Sequence, residues 1–109
     1  MDVELTEQAG LHILTVSGEI DLHVAPDLRA RMLAALGRGG GLLVDLSAVT
    51  YMDSSGIATL VEGFKKSKDA GARFGLVGVR DAPLQVLQLT RLDQVFPLYP
   101  TLADALQAA

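Results

Sequence analysis

The chain has 109 residues, half of them hydrophobic and 20% charged, with nine basic against thirteen acidic side chains for a net charge of −4. That length suits one domain, and the apolar half is enough to build a core and to exclude a disordered chain. The acidic balance argues against function through a basic surface, on nucleic acid or on an anionic membrane.

In chain order, Val3 and Leu5 and then residues 11–16 read as two strands, with Glu7-Gln8-Ala9-Gly10 as the turn of a β-hairpin. Pro26 suits a first helical turn, and Leu28, Met32, Ala35 and Leu36 recur at helical spacing, so residues 25–37 are predicted as a helix with Gly37 as its C-terminal cap. Residues 42–46 form a short apolar run bounded by turn signals, the pattern of a strand covered on both faces. The next helix has Ile57, Leu60, Val61 and Phe64 at i, i+3, i+4 and i+7, which directs one stripe at the sheet and leaves Thr59, Glu62 and Lys66 on the outer side. Gly71 ends it. A strand over 73–79, a helix over 83–92, a broken extended piece over 95–99 and a last helix over 102–108 capped by Thr101 complete the chain. The order predicts an α/β fold in which a hairpin opens a small mixed sheet and right-handed crossovers pack helices against it.

Residues that do chemistry at neutral pH are scarce. Cysteine is absent, which removes disulfides, thiolate nucleophiles and cysteine-ligated zinc, and there are two histidines. The first seven residues show no basic stretch leading into an apolar one, and no run approaches the roughly 18 apolar residues of a membrane span. The expected compartment is the cytosol, and no cofactor or metal is expected. The scarcity points to a component of a switch rather than an enzyme.

In open α/β sheets, sites gather at the loops leaving the carboxyl ends of the strands. Two such loops stand out: Gly18-Glu19-Ile20-Asp21-Leu22-His23, and Met52-Asp53-Ser54-Ser55-Gly56. The plain reading of Asp53-Ser54-Ser55-Gly56 is a helix cap, since Asp and Ser accept hydrogen bonds from the free backbone N–H groups there. Two serines and a glycine without bulky cover also present a hydroxyl at the positive end of a helix, where a phosphoryl group can be held.

The strings Val16-Ser17-Gly18-Glu19-Ile20-Asp21, Val44-Asp45-Leu46-Ser47 and Tyr51-Met52-Asp53-Ser54-Ser55-Gly56-Ile57 resemble the STAS-domain anti-sigma factor antagonists of bacterial partner-switching systems. Residues 87–96, Leu-Gln-Leu-Thr-Arg-Leu-Asp-Gln-Val-Phe, are similar to the C-terminal helix segment of that family, with Arg91 where many relatives carry a glycine. The resemblance covers almost the whole chain as a single STAS domain, and implies that Ser54 is phosphorylated by an anti-sigma factor that is also a serine kinase. It further implies that the unphosphorylated form binds this kinase and frees a sigma factor, and that a phosphatase resets the system. The kinase would bring its own nucleotide and magnesium. Glu19 and Asp21 map onto the acidic loop of the partner-binding surface, which Asp53, Ser55 and Gly56 would share; Thr59, Glu62 and Lys66 are candidate contacts on the second helix.

Other chemistries fit less well. A Ser-His-Asp hydrolase would need Ser54 beside His12 or His23, and the serine lies outside a G-x-S-x-G elbow. A receiver-type acceptor at Asp53 lacks the acidic pair and the lysine of such sites. Asp45-x-Ser47 breaks the D-x-S-x-S cation pattern at Val49, and Gly39-Gly40-Gly41 precedes a strand and lacks the lysine of a phosphate-binding loop. The strongest alternative is a STAS module acting as a non-switching subunit of a lipid-transport or stressosome-like complex.

Overall fold

The computed structural model describes residues 1–108. Strand β1 (Asp2–Gln8) pairs antiparallel with β2 (Leu11–Ile20), and β3 (Leu42–Met52), β4 (Phe74–Val77) and β5 (Leu98–Tyr99) follow in parallel, so the five-stranded sheet runs in chain order. Between them lie α1 (Ala25–Leu36), α2 (Ser54–Asp69) and α3 (Asp81–Leu89), and α4 (Leu102–Gln107) closes the chain.

Alternation along the strands divides the core. Leu14, Val16, Val44, Leu46 and Leu76 face Leu28 and Met32 of α1, Leu60 of α2 and Leu87 of α3, all of them buried. The intervening Ile13, Leu43 and Val77 point the other way, against Ala105 and Leu102 of α4. Three helices thus cover one face and one short helix the other, the two-sided burial that the apolar run 42–46 requires. Phe64, Phe74 and Phe96 pack as a triangle with ring centroids 5.4–6.2 Å apart. Arg73 donates to the Ala105 carbonyl and stacks over Tyr99, which ties α4 to the sheet edge.

The antiparallel hairpin and the order of the elements agree with the sequence pattern; several boundaries do not. β1 keeps pairing to Gln8, so Ala9 and Gly10 alone make the turn, β2 runs on to Ile20 and takes in the start of the expected Gly18–His23 loop, and α3 starts at Asp81 rather than Pro83. β3 runs on to Met52 rather than stopping at Leu46. Shifts in its register against β2, between Thr15 and Ser17 and between Gly18 and Glu19, insert extra residues that interrupt the alternation. Gly37 stays right-handed (φ −64°), and the chain reverses through the positive φ of Gly39, Gly40 and Gly41. β4 is trimmed to four residues, and only Leu98 and Tyr99 of the last extended piece enter the sheet. α3 ends at Leu89, short of Leu92. There the Thr90 hydroxyl donates back to the Val86 and Leu87 carbonyls, Arg91 turns left-handed (φ 60°), and a 3-10 turn follows over Leu92–Gln94.

Candidate functional site

Because β2 and β3 are parallel neighbours, the loops after them emerge at the same end of the sheet. They are joined there: the Asp53 N–H donates to the Ile20 carbonyl at 3.1 Å. Asp53 has extended backbone angles and is the N-cap of α2. Its Oδ1 accepts the Ser55 N–H at 2.9 Å, the Gly56 N–H at 3.3 Å, and the Ser55 hydroxyl. The Ser55 hydroxyl bond, supported by backbone N–H groups of Gly56, Ser55 and Leu22, holds the Asp53 carboxyl below its ordinary value against partial desolvation. Ser54 is the first helical residue; it is exposed, and its hydroxyl is outside this set of bonds.

Gly56 allows the tight seating of the helix start. A Cβ there would stand 2.5 Å from Met52 Cγ and 2.9 Å from Ile20 Cγ2, both on buried side chains. The glycine of the Asp-Ser-Ser-Gly string is therefore a packing requirement. Being buried, it is not a contact surface, which corrects its assignment as a partner residue.

Asp21 is half-buried and shapes its own loop: its Oδ1 accepts the His23 N–H at 3.0 Å and the Val24 N–H at 3.3 Å, at the entry to α1. Glu19 is exposed and lies opposite Tyr51 in the β2–β3 pairing. Sequence reasoning missed two apolar side chains at this end, Leu22 at 71% exposure and Tyr51 at 46%. The available signal for Leu22 was an apolar residue between two polar ones in a loop that no core pattern claims.

The assignment of Thr59, Glu62 and Lys66 to a free outer face needs correction. Thr59 is buried, and its hydroxyl donates to the Ser55 carbonyl at 2.9 Å. Glu62 is engaged by Arg29 of α1, whose Nε donates at 2.8 and 2.9 Å and whose Nη2 lies at 2.7 Å. The Arg29 hydrogen bond, with Coulombic help from Arg29 and Lys66, holds the Glu62 carboxyl low and raises the guanidinium in return. The cause is α1, which covers this side of α2 where Gly63 meets Met32 Sδ. Lys66 is exposed but stands twelve residues beyond Ser54, about 18 Å along the helix at 1.5 Å per residue. It does not join the cluster at the helix start.

His12 pairs with Leu42 at the opposite end of the parallel strands from Ser54, so it cannot serve as a base for that hydroxyl. Among the described residues no group of three His, Asp or Glu side chains is arranged to hold a metal ion, and no helix is long and apolar enough to cross a membrane.

The site and fold define a small mixed α/β domain that presents the exposed Ser54 hydroxyl, outside the helix cap, at the carboxyl end of β3. The STAS domain family model matches residues 2–105, and the chain belongs to that family. It is 31% identical over 105 residues, 95% of this chain and 85% of the relative, to the anti-sigma-F factor antagonist RsfB of Mycobacterium tuberculosis. The crystal structure of an anti-sigma factor antagonist from Mycobacterium paratuberculosis superposes with a TM-score of 0.88 at 37% identity, covering 96% of this chain and 90% of that one. An anti-sigma-factor antagonist (STAS) domain protein from Planctomyces limnophilus superposes with a TM-score of 0.85 at 28% identity, over 97% and 96%.

Proposed function

We propose that this protein is an anti-sigma factor antagonist that works in the cytoplasm by partner switching, with Ser54 as its phosphorylated residue. The observation that carries the reading is the exposed, uncommitted Ser54 hydroxyl on the first turn of α2. The names of the relatives support the general role. In its unphosphorylated form the protein binds an anti-sigma factor serine kinase and frees the sigma factor. The kinase supplies ATP and magnesium, and a serine phosphatase restores the hydroxyl. Neither nucleic acid nor membrane takes part directly. Glu19, Leu22 and Tyr51 offer exposed acidic and apolar side chains at the same end of the sheet as the hydroxyl, while Asp21, Asp53 and Ser55 shape the loops there.

Phosphorylation adds about −1.5 to −2 charges at neutral pH. A helix N-terminus stabilises an anion by roughly 0.3–1 kcal/mol, so the fold can take the group locally. The switch is read at the interface: a phosphate about 6 Å from a partner carboxylate, at an effective dielectric near 20, is repelled by roughly 5 kcal/mol before screening. Half of that lowers affinity by nearly two orders of magnitude, by the rule of about tenfold per 1.4 kcal/mol. Incubation with ATP and the serine kinase of its own partner-switching system should add the mass of one phosphate, located on Ser54 by fragmentation. The Ser54→Ala variant should bind the kinase and not be released. Kinase binding with no phosphate on the chain would favour a non-switching STAS subunit.

A further inference from the structure

The loop carries two adjacent serines, and their environments differ. Ser55 is half-buried and its hydroxyl donates to Asp53 Oδ1, the same oxygen that accepts the Ser55 and Gly56 N–H groups. Ser54 is exposed and outside those bonds. Phosphoryl transfer needs a serine oxygen to reach the γ-phosphorus of ATP. As the new O–P bond forms, the bond to the β–γ bridging oxygen breaks, ADP leaves, and the hydroxyl proton passes to a base of the kinase.

We propose that Asp53 is a positioning residue that determines specificity, committing the Ser55 hydroxyl to the helix cap and leaving Ser54 as the single phosphoryl acceptor. The inference rests on the phosphorylation reading above. Transfer to Ser55 would break its bond to Asp53 and set three phosphoryl oxygens against a carboxylate at hydrogen-bond distance, where like charges oppose one another. The same carboxylate is a poor base for activating Ser55, because its bonds hold it in the ionised form. Ser54 has no such bond to break: its hydroxyl is exposed and takes no part in the cap, so Asp53 can keep its three bonds while a phosphate is attached next door.

Two measurements test this. In a carbon-detected NMR titration of the Asp53 carboxyl, which needs no kinase, Ser55→Ala should move the midpoint up toward the ordinary carboxylate value and Ser54→Ala should leave it in place. An equal effect from both, or none from Ser55→Ala, overturns the arrangement. In phosphosite mapping after incubation with ATP and the system's serine kinase, the wild type should carry phosphate on Ser54 alone. Asp53→Ala should raise the share on Ser55 at least about tenfold, the factor that one hydrogen bond to a charged group represents. Asp53→Asn, which keeps a capping oxygen but not its charge, should fall between and guards against loss of folding. Phosphate on Ser54 alone in all three proteins overturns this inference and leaves the phosphorylation reading intact. Phosphate on Ser55 in the wild type, or on neither serine, overturns both.

Discussion

Replacing Gly56 with alanine separates packing from helix propensity. In a helix interior, Gly→Ala gains up to about 1 kcal/mol from backbone entropy. At Gly56 the added Cβ lies 2.5 Å from Met52 Cγ, 2.9 Å from Ile20 Cγ2 and 3.1 Å from Met52 Sδ. Met52 and Ile20 are buried to 1% and 0% exposure, so neither can swing into solvent, and the Ile20 contact is to a branch that is stiff at χ1. Forcing an extra carbon into such a core costs about 1–3 kcal/mol. The first-turn position reduces the propensity gain, and the net expectation is a loss of about 1–2 kcal/mol, or roughly 5–15 °C in melting temperature. Gly63→Ala is the paired control. Its Cβ meets Met32 at Sδ (2.5 Å) and Cε (2.8 Å), the flexible end of a side chain, with Phe74 Cε2 at 3.2 Å. There the full interior propensity gain offsets much of the clash, so Gly63→Ala should lose clearly less. Thermal melts by circular dichroism decide. A Gly56→Ala protein as stable as wild type or more so, or one less affected than Gly63→Ala, would refute the close-packing argument for the motif glycine.

Ser54→Asp should weaken kinase binding in calorimetric titration while the melting temperature stays within a few degrees of wild type; a large drop would show that the serine is chiefly structural. The folded protein holds Asp53 and Glu62 below their ordinary values of 3.8 and 4.5. Their stabilisation is therefore full above those values, declines as pH falls through them, and is gone below the lowered folded values. Melts taken from neutral pH downward should show that decline, and Ser55→Ala and Arg29→Gln should each flatten it; unchanged profiles would contradict the assigned bonds. Arg91 is held at φ 60° after α3. Arg91→Gly should relieve left-handed strain and stabilise the fold by about 0.5–1 kcal/mol after the entropy of glycine is counted, measured by urea unfolding. A destabilised variant would mean that the arginine side chain contributes more than its backbone strain costs.

The order of elements was legible because it rests on local signals: the turn signal before Leu11, which the structure narrows from residues 7–10 to Ala9 and Gly10, Pro26 at a helix start, and the 57-60-61-64 stripe. What the sequence hid is set by tertiary contact. Thr59 and Gly63 carry no hydrophobic signal, yet they sit where α1 crosses α2, so the polar side of α2 proved to be an interface. Residues 47–52 break alternation at the register shifts against β2, which concealed half of β3. At the site, the loop pair, Asp53 as a cap and the glycine could be read from residue types. That Ser55 is committed and Ser54 is not could not, because identical side chains in adjacent positions differ only in which way the helix turns them.

In the proposed switch, one phosphate on Ser54 releases the anti-sigma partner without refolding the domain. This is tested most directly by titration calorimetry of the partner kinase against the unphosphorylated protein and against the same protein phosphorylated to completion, with amide NMR spectra of both forms. The expected result is affinity lowered by nearly two orders of magnitude, with shifts confined to the end of β2 and the loop after it (residues 19–23) and to the start of α2 (residues 53–56). Equal affinities, or shifts spread through the sheet and α3, would contradict it.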